Sequence, residues 1–249
     1  MDQGTLGNAE ITVFSGFFSS EDAYSYLQAK SQLKRAMGVL RNSPKLASEL
    51  GMLPTGLGRG AITGKDGDAV WDFLRMRGAS EDDQFTRNPH LTLGVRREAV
   101  EAMVTFPNGL RSPVRKNLKR LGHEGCALML KEVLARMQFI LKAQPKARPI
   151  VRVVQRRYPS QRSTPILDAL VEFDLRTITS SEKGDPKFQP EWLYAAIDAF
   201  LAKKSNLQFQ LGISYGYGDC PTASTPKATK LIEDGWLACR PMIDAVLDA

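Results

Sequence analysis

The chain has 249 residues and a net charge of +7, with 43% hydrophobic and 24% charged residues, a composition typical of a globular protein with an ordinary core. No apolar run approaches the roughly 18–20 residues that cross a bilayer, and Asp2 and Gln3 stand where a signal peptide would carry basic residues. Without such a run we expect no membrane partner. Because the three cysteines are odd in number and widely spaced, we expect reduced thiols and a cytoplasmic location.

The first third of the chain predicts a strand, a helix and two loops. Residues 10–18 are rich in β-branched and aromatic side chains, which indicates a strand. A helix should start at 19–22, and Pro44 should break it. Six glycines within 51–67 predict a mobile glycine-rich loop, and a polar loop is expected near 77–89.

The middle of the chain predicts two β-hairpins with a long helix between them. The first hairpin pairs residues 91–96 with 99–106, which are joined by a tight turn. The second pairs residues 150–158 with 166–178. The helix between the hairpins should run from Pro113 to Lys142 because its apolar residues recur at helical spacing.

The last quarter of the chain adds a helix at 190–203, an alternating strand at 207–215 and a closing helical region from Thr225 to Leu247. Pro241 should kink or split that last region. Hairpins interspersed with helices favour one α+β domain over residues 1–249. We expect a mostly antiparallel sheet of about five to six strands with helices packed on one face.

The positive charge is concentrated in one segment, residues 111–162. This segment holds 14 of the 34 Lys and Arg residues but only two acids, so it carries +12 while the rest of the chain carries −5. A concentrated field of one sign costs self-repulsion, and its usual use is the attraction of a polyanion. The segment therefore favours nucleic acid, or an acidic protein, as a partner.

The best-defined basic element is the helix that begins at Ser112 and Pro113 and that Gly122 should end. One face of this helix is apolar, and the opposite face holds four cations with no acid among them: Arg115, Lys116, Lys119 and Arg120. Because like charges at i,i+4 repel one another, this face favours contact with phosphates over simple solvation. From Cys126 onward the helix is nearly apolar all round, which favours a position in the core.

In the second hairpin, pairing between the strands gives some of the other cations an acidic partner, and therefore a structural role. If its turn lies near 158–164, residues whose numbers sum to about 324 should face each other, so that Arg152 opposes Glu172 and Arg156 opposes Asp168. The cations without such partners lie near the tip and the start of the hairpin, together with a tyrosine whose ring can stack on a base: Lys146, Arg148, Arg157, Tyr158 and Arg162.

The sequence evidence for a catalytic or cofactor site is weaker than the evidence for a polyanion-binding surface. Three carboxylates on one strand face suit Mg²⁺ and phosphodiester cleavage, although the predicted arginine partners explain them without a metal: Asp168, Glu172 and Asp174. The glycine-rich loop does not match a P-loop, since Arg59 and Asp66 occupy required positions. His123 and Cys126 lack the two further ligands that zinc needs. The sequence thus predicts no cofactor and no metal.

The sequence therefore predicts a nucleic-acid-binding protein, for DNA or RNA, that contacts the phosphate backbone with weak sequence preference. The first alternative is a subunit that docks an acidic protein through the same surface. A Mg²⁺-dependent nuclease is the second alternative. The sequence leaves the oligomeric state and the choice between DNA and RNA open.

Overall fold

The fold is an antiparallel β-sheet with helices packed on one face, which confirms the predicted α+β class. A computed structural model describes the following residues: 23–53, 62–63, 69–78, 87–107, 110, 112–155, 169–179, 195, 198 and 207–247. The strand predicted at 10–18, the helix start at 19–22 and most of the two predicted loops lie outside these residues. None of the described helices is long and apolar enough to cross a membrane.

The strands form one sheet in which every neighbouring pair is antiparallel. Within the described residues the strands are β1 (Ile62–Thr63), β2 (Ala69–Arg75), β3 (His90–Arg96), β4 (Ala99–Phe106), β5 (Arg148–Gln155), β6 (Ala169–Asp174) and β7 (Leu207–Gly216). Their spatial order is β1-β2-β3-β4-β7-β5-β6. The last strand in the chain thus joins the two predicted hairpins into one sheet.

Two breaks between helices lie at prolines that the sequence marks. Those with described bounds are α1 (Ala23–Leu40), α2 (Pro44–Leu50), α3 (Ser112–Ala143), α4 (Leu175–Thr179), α5 (Ala228–Ala238) and α6 (Arg240–Leu247). Pro44 separates α1 from α2, where the Ser43 hydroxyl accepts a hydrogen bond from the Leu46 amide. Pro241 lies in the first turn of α6, which confirms that it splits the closing helical region.

One face of the sheet and the inner sides of the helices form a single apolar core. Helices α1 and α5 lie on the sheet, whereas α3 packs mainly against α4, α5 and α6. The alternation predicted for β7 is confirmed, because Phe209, Leu211, Ile213 and Tyr215 are all buried in this core. Helix α3 therefore lies on the outside of the helix layer.

The register predicted for the second hairpin is confirmed, since Arg152 pairs with Glu172 and Ile150 with Asp174. The second strand of this hairpin is shorter than predicted, however, because α4 begins at Leu175. The Asp174 carboxylate accepts a hydrogen bond from the backbone amide of Arg176, as a helix N-cap does. This cap ends β6 four residues before the predicted end of the strand.

Candidate nucleic-acid interface

Helix α3 consists of two parts that meet at Gly122. Gly122 has φ 60° and ψ −167°, a backbone conformation that only glycine adopts readily. The prediction that Gly122 ends the basic helix is therefore confirmed, and this helix forms the first part of α3, residues 112–121. The second part, residues 123–143, continues in a new direction.

The first part of α3 exposes three cations on the side away from the core. Val114 and Leu118 lie in the core on its inner side. The outward cations are exposed and make no hydrogen bond or ion pair with any part of the chain that the structure describes: Lys116, Lys119 and Arg120. We call these three residues the basic strip. Arg115 beside them is half-buried, and burial lowers the pKa of its guanidinium.

A single hydrogen bond fixes the orientation of the basic strip. The side-chain amide of Asn117 donates to the backbone carbonyl of Val246 in α6, with an N···O distance of 2.9 Å. Asn117 lies between the members of the strip in sequence but on the inner side of the helix. This contact, together with the burial of Val114 and Leu118, turns the strip towards solvent.

The second part of α3 buries only one side, so the prediction that it lies in the core and not on a contact surface holds for its inner side alone. Leu130, Val133, Met137 and other inner residues are buried. The opposite side, which we call the outer face of α3, is exposed and mixes apolar and basic side chains with one acid: Leu128, Lys131, Glu132, Arg136, Phe139 and Lys142. The prediction failed for the outer face because α3 lies on the outside of the helix layer, where no described element covers this side.

The charge on α3 is strongly unbalanced. The helix contains seven Lys and Arg residues and two acids, Glu124 and Glu132, so its net charge is +5. A further acid approaches it at one point, where Asp198 accepts from His123 at 3.1 Å, with both side chains exposed. Because an exposed pair of this kind contributes little, α3 keeps a positive field.

Two other predicted binding residues are held in ion pairs. Lys146 lies 3.0 Å from Asp219, and Arg148 lies 2.5 Å from Glu172. The expectation that these two cations are free is therefore wrong. They also lie beyond the far end of the second part of α3, which is about 30 Å long at 1.5 Å per residue, so they do not join the basic strip.

Three predicted residues at the tip of the second hairpin, Arg157, Tyr158 and Arg162, lie outside the described residues. Asp168 of the proposed carboxylate group lies outside them too. The other two members are engaged by arginines, since Glu172 accepts from Arg152 and Asp174 from Arg176. Within the described residues no group of three or more His, Cys, Asp or Glu side chains could hold a metal ion.

The sequence analysis missed the outer face of α3, although a signal for it exists. Leu128, Lys131, Ala135, Phe139 and Lys142 recur at intervals of three and four residues, which places them on one side of a helix. Apolar residues elsewhere around the circumference obscured this stripe, because hydrophobicity alone does not tell an inner side from an outer one.

Comparison of the sequence with protein-family models and with curated proteins finds no match. The candidate interface is therefore defined by geometry and charge: the basic strip and the outer face of α3.

Proposed function

We propose that this protein binds nucleic acid through the phosphate backbone, with the basic strip as its principal contact. The observation that supports the proposal is the set of three exposed cations, Lys116, Lys119 and Arg120, that have no described partner on a helix with a net charge of +5. Like charges on adjacent turns destabilise a helix by a few tenths of a kcal/mol per pair. A row of phosphates would replace this repulsion with attraction.

The chemistry of the strip fits phosphate oxygens. The ammonium groups of Lys116 and Lys119 act as point charges, and the guanidinium of Arg120 can donate two parallel hydrogen bonds to one phosphate. Contacts of this kind to phosphate oxygens position a protein on the nucleic acid but carry no sequence information. We therefore expect binding to depend on charge and length of the polyanion and to show weak sequence preference.

An acidic protein partner is the alternative for the same helix. The exposed apolar side chains of Leu128 and Phe139 favour it, because buried apolar anchors carry much of the energy of protein interfaces. The two functions differ in a measurable way. Affinity for nucleic acid should rise with polymer length, whereas affinity for a protein should depend on the shape of one partner.

The experiment that tests the proposal is binding to labelled duplex DNA across a series of salt concentrations. Each phosphate that the protein neutralises contributes about −0.9 to the slope of log K against log salt. We expect a slope of about −2.7 if only the basic strip contacts phosphates, and of about −5.4 if Lys131, Arg136 and Lys142 also do. A slope near zero, or the absence of binding, would exclude the proposal.

A further inference from the structure

Phe139 is exposed on the outer face of α3 to an unusual degree for an aromatic residue. It exposes 65% of its surface and is the only aromatic among the large apolar residues exposed in the part of the chain that the structure describes. Aromatic side chains normally bury much of their area, and solvent exposure of the whole ring forgoes that stabilisation. The ring therefore presents a flat apolar surface to whatever binds this side of the helix.

Two cations flank this ring on the same side of the helix. Arg136 precedes Phe139 by three residues and Lys142 follows it by three, a spacing that places their Cβ atoms roughly 5–6 Å from that of Phe139. Both are exposed and make no ion pair with any described residue. The ring thus lies between two positive charges that can reach the phosphates next to a base stacked on it.

We infer that the outer face of α3 binds single-stranded nucleic acid, with Phe139 as the platform on which an unpaired base stacks. The inference rests on the proposed function and names its substrate class. In a duplex each base is already stacked on both faces, so the ring of Phe139 could reach a base only by unstacking it. A single strand offers free base faces, and proteins that bind it combine aromatic platforms with a basic groove.

We expect the basic strip and Phe139 to act on one strand, because both lie on the solvent side of the same helix. Both parts of α3 bury their inner sides in the same core, through Val114 and Leu118 in the first part and Leu130 and Met137 in the second. Their outer sides therefore both lie on the solvent side of that core. A strand lying along α3 would meet the cations of the strip first and the ring of Phe139 further on.

The test compares three probes of equal length, each about 20 nucleotides, so that they exceed the site size of a single-strand-binding module. The probes are oligo-dT, the same strand made wholly of abasic sites, and a duplex. The variants are Phe139→Ala, Phe139→Trp, Leu27→Ala and the triple charge swap Lys116→Glu/Lys119→Glu/Arg120→Glu. Leu27→Ala is the matched control, because Leu27 is a large apolar residue exposed to nearly the same extent, 64%, but belongs to α1 and not to the proposed binding face.

Phe139→Ala should weaken binding of oligo-dT by roughly 5- to 150-fold, which is the cost of losing one stacked base. The same variant should bind the abasic strand and the duplex as the wild type does. Phe139→Trp should retain the affinity for oligo-dT, and Leu27→Ala should change it by no more than about twofold, as surface substitutions usually do. Circular dichroism and the melting temperature of each variant verify its fold.

The outcomes separate failure of the inference from failure of the proposed function. If Phe139→Ala binds oligo-dT as the wild type does while the triple charge swap loses all three probes, the stacking inference is wrong and the proposed function stands. If Phe139→Ala weakens the abasic strand as much as oligo-dT, the ring makes an apolar contact without stacking, which also overturns the inference. If the wild type binds none of the probes, both fail, and an acidic protein becomes the partner to test.

Discussion

The guanidinium of Arg152 on β5 reaches across the intervening strand β7 and forms a two-point ion pair with Glu101 on β4, with N···O distances of 2.7 and 3.0 Å. Arg152 pairs with Gln210 of β7, and Glu101 pairs with Ser214 of the same strand. Gly212 lies between these two residues on the same face of the sheet. A Cβ at Gly212 would clash with Ala102 and Met103 of β4, so glycine at this position allows the close approach of the two strands. The same guanidinium also binds Glu172 on β6, so one side chain links strands at four successive positions of the sheet.

Replacement of Arg152 by alanine should destabilise the protein by about 3–5 kcal/mol, because it leaves the buried carboxylate of Glu101 without its main partner. Urea unfolding of the wild type and the variant measures the difference. The matched control is Arg176→Ala, which removes the more exposed pair with Asp174 and should cost about 1 kcal/mol or less. Equal losses in the two variants would contradict a structural role for the Arg152 cluster.

The Glu101 carboxylate should make stability depend on acidic pH. Burial by itself would raise its pKa, but the hydrogen bonds and charges of Arg152 and Arg96 outweigh burial and hold the pKa below the ordinary value of 4.5. A lowered pKa means that the stabilisation is complete above pH 4.5 and is lost as the pH falls through the folded-state pKa. The free energy of unfolding should therefore fall more steeply below pH 4.5 in the wild type than in Glu101→Gln. Parallel pH profiles would show that the pKa is not lowered.

Gly122 should resist substitution because its backbone lies at φ 60° and ψ −167°. Alanine at this position should cost about 1–3 kcal/mol through backbone strain alone, since an added Cβ meets no other atom. Gly38 in α1 provides the control, because its added Cβ also meets nothing, and Gly38→Ala should stabilise the helix by about 0.5–1 kcal/mol. Thermal unfolding of both variants gives the comparison, and a neutral Gly122→Ala would mean that α3 runs straight through this residue.

The cysteine thiols should be unreactive in the folded protein. Cys126, Cys220 and Cys239 are all buried and free. Burial, helped by the charge of Asp198, raises the pKa of Cys126 to about 11, and burial also raises the pKa of Cys239 above its usual value. At pH 7 a thiol reagent should therefore modify the native protein slowly. Once the protein is unfolded, the reagent should modify all three thiols. Rapid modification of one thiol in the native state would reveal an accessible nucleophile.

Local signals account for the parts of the fold that could be predicted. Pro44, Gly122 and Pro241 act through their own backbone geometry, so the chain breaks where the sequence places them. The register of the second hairpin followed from the position of its turn, and the pairing of Arg152 with Glu172 confirms it. The basic strip was predictable for the same reason, because helix periodicity and capping are local.

Contacts between distant parts of the chain account for what could not be predicted. The pair between Arg152 and Glu101 exists because β7 lies between their strands, and no local pattern fixes that strand order. The partner of Lys146, Asp219, lies 73 residues away, so Lys146 looked free in the sequence. The exposure of Phe139 depends in the same way on how α3 packs against α5 and α6.

The salt dependence of duplex DNA binding by two charge-swap variants tests the phosphate-binding role of α3 most directly. The first is the triple charge swap of the basic strip, and the second is Lys34→Glu/Lys45→Glu/Lys227→Glu, which changes the net charge by the same amount at exposed lysines outside α3. We expect the strip variant to lose about 2.7 from the magnitude of the slope of log K against log salt, and the control to keep a slope close to that of the wild type. Equal losses in both variants, or a wild-type slope near zero, would contradict binding through α3.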